Sequence, residues 1–124
     1  MKTISSCLFL LLVVVFTSNS TPFELTEYTI KDGLESNTVT CIYQDRFGFI
    51  WIGTIDGLNR FDGTNMYSYR SNLFDTTTIN NNRITAIQED GRDNLWIATQ
   101  SGINRYNRKR NTFERNILKK LQLW

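Results

Sequence analysis

The chain repeats itself, and the repeat constrains its fold more than any other feature. Asn37 to Arg70 aligns without gaps on Asn82 to Arg115, at an offset of 45 residues. Eleven pairs are identical, among them Thr40/Thr85, Ile42/Ile87, Asp45/Asp90, Trp51/Trp96, Thr54/Thr99, Gly57/Gly102, Asn59/Asn104, Arg60/Arg105 and Arg70/Arg115. Conservative pairs such as Val39/Ile84, Ile50/Leu95 and Phe61/Tyr106 fill the gaps, and the match runs upstream to Leu34/Ile79. Self-similarity at this period points to stacked supersecondary units, each unable to bury its apolar faces alone.

Within each copy the pattern predicts four short strands. Val39–Gln44 is rich in β-branched and apolar residues and is stopped by Asp45 and Gly48. Ile50–Thr54 carries the tryptophan, Gly57 turns the chain into Leu58–Phe61, and Asp62-Gly63-Thr64-Asn65 turns it again into Met66–Tyr69. In the second copy Asp90-Gly91-Arg92-Asp93-Asn94 makes the first turn with different residues. Asp and Gly suit tight turns because one bonds its own backbone and the other accepts positive φ. Four strands in about 40–45 residues is the size of a propeller blade. The expected fold class is therefore all-β, two four-stranded antiparallel blades of a larger, incomplete β-propeller following a signal peptide. The expected boundaries are a signal peptide at 1–20, a leading strand and link at 21–36, blades at 37–70 and 82–115, an inter-blade link at 71–81, and a truncated link to a third blade at 116–124. Two blades would leave two sheet faces bare, so the chain is expected to be marginal or insoluble alone. Phe23–Ile30 is expected as a strand that closes a ring into a later blade.

The first twenty residues follow different rules. Lys2 gives a positive start, Cys7 to Phe16 is an unbroken apolar run, and Ser18-Asn19-Ser20 supplies small residues for cleavage. This is the layout of a secretory signal peptide. The run is about half of the ~20 apolar residues a spanning helix needs, which disfavours an uncleaved anchor. Export leaves Cys41 as the single mature cysteine, read as a small buried hydrophobe with Ala86 in the equivalent place. A formal charge of +2 is too small and scattered to argue for nucleic acid, and the cluster from Arg105 to Lys120 reads as a solvated turn and tail.

Residues that recur at a fixed interval are expected to serve architecture. Trp51 and Trp96 are read as fillers between adjacent sheets, with sugar or base stacking as the alternative. Asp45 and Asp90 are read as turn residues, Gly57 and Gly102 as turn glycines, and Asn59, Asn104, Arg60 and Arg105 as caps or pairs within their own blade, with anion binding by each arginine as the alternative. Specificity is expected where the copies diverge, at the turns between second and third strands: Asp56 in one blade, Gln100 and Ser101 in the other, with the polar link Ser71–Asn81 near them. No catalytic residue, metal ligand or cofactor is expected. The chain has no histidine, so it cannot carry a phosphohistidine or Ser-His or His-metal chemistry. Glu89 and Asp90 are neighbours on a strand, which alternation points to opposite faces, so they do not form a glycosidase pair.

The pattern apolar–x–x–Ile–x–x–Asp, then Trp-Ile-Gly/Ala-Thr, then Gly-Leu/Ile-Asn-Arg-Phe/Tyr resembles the two-component regulator propeller repeat. The opening Tyr28-Thr29-Ile30-Lys31-Asp32-Gly33-Leu34-Glu35-Ser36-Asn37 is similar to the start of that family's first blade. The resemblance covers 23–115. It implies the N-terminal piece of a hybrid two-component sensor kinase, whose periplasmic propellers help detect polysaccharide fragments and signal across the inner membrane to a kinase portion. The implied partners are an oligosaccharide ligand, the missing blades and kinase portion of the receptor, and a second copy, since relatives are homodimeric inner-membrane proteins. No nucleic acid is implied for this piece. The alternative is a secreted propeller module that only binds a glycan or a protein.

Overall fold

A computed structural model describes residues 21–115. The expected signal peptide at 1–20 and the expected link to a third blade at 116–124 lie outside the described residues. Two sheets follow one another: β1 (Val39–Gln44), β2 (Ile50–Thr54), β3 (Gly57–Phe61) and β4 (Met66–Tyr69), then β5 (Ile84–Glu89), β6 (Leu95–Thr99), β7 (Gly102–Asn107) and β8 (Thr112–Arg115). Each is a four-stranded antiparallel meander in chain order. Among the described residues the protein is all-β, with one 3-10 turn at Ile30–Asp32 capped by Thr29 and Asp32. No strand forms in the leading segment 21–29, where one is expected from sequence. An extended segment becomes a strand only against a neighbour's free ladder, and it has none among the described residues.

The first turns show why the aspartates and tryptophans recur together. Asp45 accepts from the amides of Phe47 and Phe49, both at 3.0 Å, and from Trp51 Nε1 at 2.9 Å. Asp90 accepts from the amides of Arg92 and Asn94 and from Trp96 Nε1 at 2.9 Å. One carboxylate thus closes the β1–β2 hairpin and fixes the indole six residues on. The β2–β3 hairpin is built as economically. Thr54 Oγ1 donates to the Gly57 carbonyl at 2.8 Å and accepts from the Asp56 amide, with Thr99, Gly102 and Ser101 repeating the arrangement. Gly57 and Gly102 take φ of 146° and 132°, a region that L side chains rarely enter.

The copies part company at the last hairpin. Arg60 pairs with Tyr67 across β3–β4, but its counterpart Arg105 pairs with Glu114 across β7–β8. An offset of 45 would pair Arg105 with Thr112, so the second hairpin is shifted by two residues. The structural counterpart of Arg115 is therefore Ser68, not Arg70. Both approach the same point of the repeat: Ser68 Oγ donates to the Gly33 carbonyl and Arg115 Nε to the Thr78 carbonyl. Arg70 instead pairs with Glu35 at 2.5 Å and Asp56 at 3.0 Å.

The core lies between the blades. Trp51, fully buried, meets Tyr106 edge-on at 4.8 Å and stacks near Tyr69 at 5.7 Å, and Phe113 completes the aromatic group. Ile79, Ile84, Ile87, Leu95 and Ile97 supply the aliphatic part. Burying a side chain of this size contributes about 1.5–3 kcal/mol each. Gly53 sits where the sheets approach closely: a Cβ there would lie 2.5 Å from Cys41 Sγ and 2.7 Å from Ile84 Cγ2. The second copy carries Ala98 at this position.

Candidate functional site

The expected ligand positions lie at the end of the blades that carries the inter-blade link, and the side chains of Asp56 and Ser101 are engaged there. Asp56 is paired with Arg70. Ser101 accepts from Asn81 Nδ2 at 2.8 Å through its hydroxyl and from Asn80 Nδ2 at 3.2 Å through its carbonyl. Gln100 projects outward, its amide held by the Arg83 carbonyl. Asn59 and Asn104 lie deeper. Asn59 donates to the Gly33 carbonyl and accepts from the Glu35 amide, and Asn104 accepts from the Asn80 amide and donates to the Asn80 side-chain oxygen. Each asparagine anchors the segment that enters its blade, beyond the blade itself.

The opposite end, at the Asp45 and Asp90 hairpins, is where the blades present chemistry together. A cleft of about 220 Å³ opens between them, lined by Phe47, Phe49, Arg60, Tyr106 and Arg108. Arg108, on the last turn of blade 2, reaches across to Asp45 at 2.8 Å and to Glu89 at 3.0 Å. Arg46 also pairs with Glu89 and with Asp93. Glu89 and Asp90 are thus held separately, Glu89 by arginines and Asp90 by its own turn. Burial works against ionisation of Asp45, but bonds from Trp51 and Arg108 outweigh it and hold its pKa below the usual carboxylate value. The Trp96 and Asn94 side chains hold Asp90 well below it too. Burial, with Tyr106 beside it, pushes the Tyr69 hydroxyl well above its ordinary value.

Arg60 departs from its expected role. It pairs across the blades, donating from Nη1 to the Tyr106 hydroxyl at 3.0 Å, while Tyr106 donates in turn to Asn111. Its guanidinium lies over Tyr67 at 4.8 Å, Phe49 at 4.9 Å and Trp51 at 5.7 Å. Arg105 does remain within its blade, on Glu114 at 2.6 Å. Trp96 is half-buried, on the side of blade 2 away from blade 1, and Cys41 is half-buried against the core. The sequence reading passed over Phe47, Phe49 and Arg108. The available signal was divergence at another turn: their counterparts are Arg92, Asn94 and Gly63.

Comparison with known proteins fixes what these blades are. The family model described as two component regulator propeller matches residues 33–56 and 78–101. The two matches lie 45 residues apart and each starts at the entering segment that Asn59 or Asn104 anchors. These are two-component regulator propeller repeats. The propeller repeats are similar to histidine kinase P4 of Formosa agariphila, with 40% identity over 75 residues, 60% of this chain and 6% of that protein. Among solved structures, they are similar to the extracellular domain of a hybrid two-component system from B. thetaiotaomicron. That match has 35% identity and a TM-score of 0.66 over 75% of this chain and 13% of the other. The extracellular domain of a one-component system from the same organism matches at 33% identity and a TM-score of 0.60, over 73% and 13%. The chain therefore spans a small part of each relative, and the structures it resembles are extracellular.

Proposed function

We propose that these blades belong to a periplasmic ligand-sensing propeller of a two-component receptor that responds to polysaccharide fragments. The observation that carries the reading is the pairing of the repeat match with a 35%-identical extracellular domain of a hybrid two-component system. On this reading the blades do no chemistry. They hold a shape that a ligand changes, and a kinase portion elsewhere in the receptor reports it.

Burial within the repeat supports a larger ring. Ile87 is 9% exposed because blade 1 covers it, whereas its counterpart Ile42 is 66% exposed. Ile84 is fully buried and Val39 is 41% exposed. The same residue types at the same blade positions differ only in having a neighbour, so the Val39–Ile42 face is the seat of a further blade. The remaining blades and kinase portion are thus partners within the receptor, which acts as a membrane-bound dimer.

The test uses the full-length receptor in membranes, presented with a panel of defined oligosaccharides while phosphotransfer is followed. A response to one glycan class, lost when the extracellular portion is removed, is the expected result. A response to peptides or proteins and to no glycan would overturn the polysaccharide reading and favour a protein-binding module.

A further inference from the structure

We propose that the cleft between the blades at the Asp45 hairpin binds a carboxylate-bearing sugar ring, with Arg60 as the cation that receives the carboxylate. The inference deepens the sensing reading above and rests on it for the choice of a sugar.

The starting point is a difference between two copies of one arginine. Arg105 has Glu114 opposite it in the neighbouring strand and pairs with it. Arg60 has Tyr67 in the corresponding place. Around the cleft the other arginines are neutralised as well, Arg46 by Glu89 and Asp93 and Arg108 by Asp45 and Glu89. Among the described residues Arg60 has no carboxylate within ion-pair distance, and its Nε is buried without a hydrogen-bond partner. Partly desolvating a cation without a counter-charge is costly, and the rings of Phe49, Trp51 and Tyr67 offset only part of that cost. An incoming carboxylate supplies what Glu114 supplies in blade 2, in the planar geometry a guanidinium fork matches best.

The walls specify what else the ligand carries. Phe47 is 59% exposed at a hairpin tip and yet has Arg108 over its face at 4.7 Å, which holds the ring at the mouth of the cleft. Phe49 and Tyr106 line the cleft beyond it. Apolar ring faces beside a cation suit a ligand with a flat C–H face and a charged substituent, which describes a uronic acid residue. The cleft, at about 220 Å³, is below the ~300 Å³ at which pockets for larger ligands begin, so it takes one ring rather than a chain. Phe47, Phe49 and Arg108 all replace different residues in the other copy, as expected of positions released from the repeat's architectural role.

The test is calorimetric titration of the full-length receptor with sodium D-glucuronate, D-glucose and sodium acetate at low salt. Glucuronate is expected to bind, with glucose and acetate each at least ~10-fold weaker, because one lacks the charge and the other the ring. Arg60→Gln should lower glucuronate affinity at least ~10-fold and abolish its salt dependence. Phe47→Ala, on an exposed hairpin tip, should weaken binding several-fold at an unchanged melting temperature, and it decides the matter if Arg60→Gln does not fold. Absent glucuronate binding, equal binding of glucose or acetate, or unchanged affinity in both variants overturns the site. A receptor that answers neutral oligosaccharides while glucuronate fails to bind keeps the sensing reading and loses this site. Glucuronate bound here in a receptor that no glycan activates does the reverse.

Discussion

Removing the Asp45 carboxylate should be among the most damaging single changes to blade 1, and the repeat supplies its own control. Four donors converge on that side chain: the amides of Phe47 and Phe49, Trp51 Nε1 and Arg108 Nη1, at 2.8 to 3.0 Å. The side chain is fully buried. Asp45→Ala leaves the buried indole N–H without an acceptor, which costs about 1–3 kcal/mol. It also strips Arg108 of one of two carboxylates, and breaking a buried pair from one side costs about 3–5 kcal/mol. These effects share atoms and do not add, so the expected loss is about 3–5 kcal/mol. Against a total of about 5–15 kcal/mol for a domain of this size, that is a large share. Asp45→Asn should recover little, because its amide N–H₂ would face the indole donor or the guanidinium. Asp90 makes the matching turn with no arginine, so Asp90→Ala should destabilise less. Urea unfolding followed by tryptophan fluorescence measures both. An Asp45→Ala loss below about 1 kcal/mol, or one no larger than that of Asp90→Ala, would show that the cross-blade arginine contributes nothing and refute the reasoning.

Gly53→Ala should destabilise by about 1–3 kcal/mol through overpacking against Cys41 and Ile84, read from the same urea midpoints, while Ala98→Gly costs less than half as much. Asn104→Leu removes the side-chain oxygen that accepts from the Asn80 amide, so amide exchange at 78–81 should quicken before that of the strands. Asp45 and Asp90 both have folded pKa values below the unfolded 3.8. Their stabilisation is therefore complete above about pH 4 and is lost as pH falls through the lower folded values, and Asp90→Ala should flatten that acid limb in a melting-temperature series.

The architecture was legible because it rests on local rules that recur. Asp45 and Asp90 each serve the hairpin they terminate, Thr54 and Thr99 each close the next turn, and alternation puts Trp51 and Gly53 on one face. Such relations span a few residues, and the gap-free repeat exposed them twice. Relations across the blades were not legible. Arg60 looked like Arg105 because the two share neighbours in sequence, but their partners come from strands whose register differs by two residues. An ungapped alignment hides such a shift, since it pairs Arg70 with Arg115 and matches them by identity. The leading segment shows the same limit: a strand at 23–30 needs a later blade to pair with, and none lies among the described residues.

Pairs of equivalent positions turn the repeat into a measurement of what a neighbour does. Val39 and Ile42 differ from Ile84 and Ile87 chiefly in lacking a sheet against them, and exposure follows that difference. The same subtraction applied to arginines separates architecture from chemistry. Where the blade needs only itself, as at Arg105 and Glu114, charge is balanced within one hairpin. At Arg60 the counter-charge has been replaced by tyrosine, and the neighbouring β1–β2 turn carries two phenylalanines that the fold does not require, since blade 2 builds the same turn with Arg92 and Asn94. A substitution that removes a stabilising pair and adds exposed aromatic surface works against the stability of an isolated blade. It is accounted for when a ligand supplies both the missing charge and the cover for the rings, and the glucuronate titration asks that question directly.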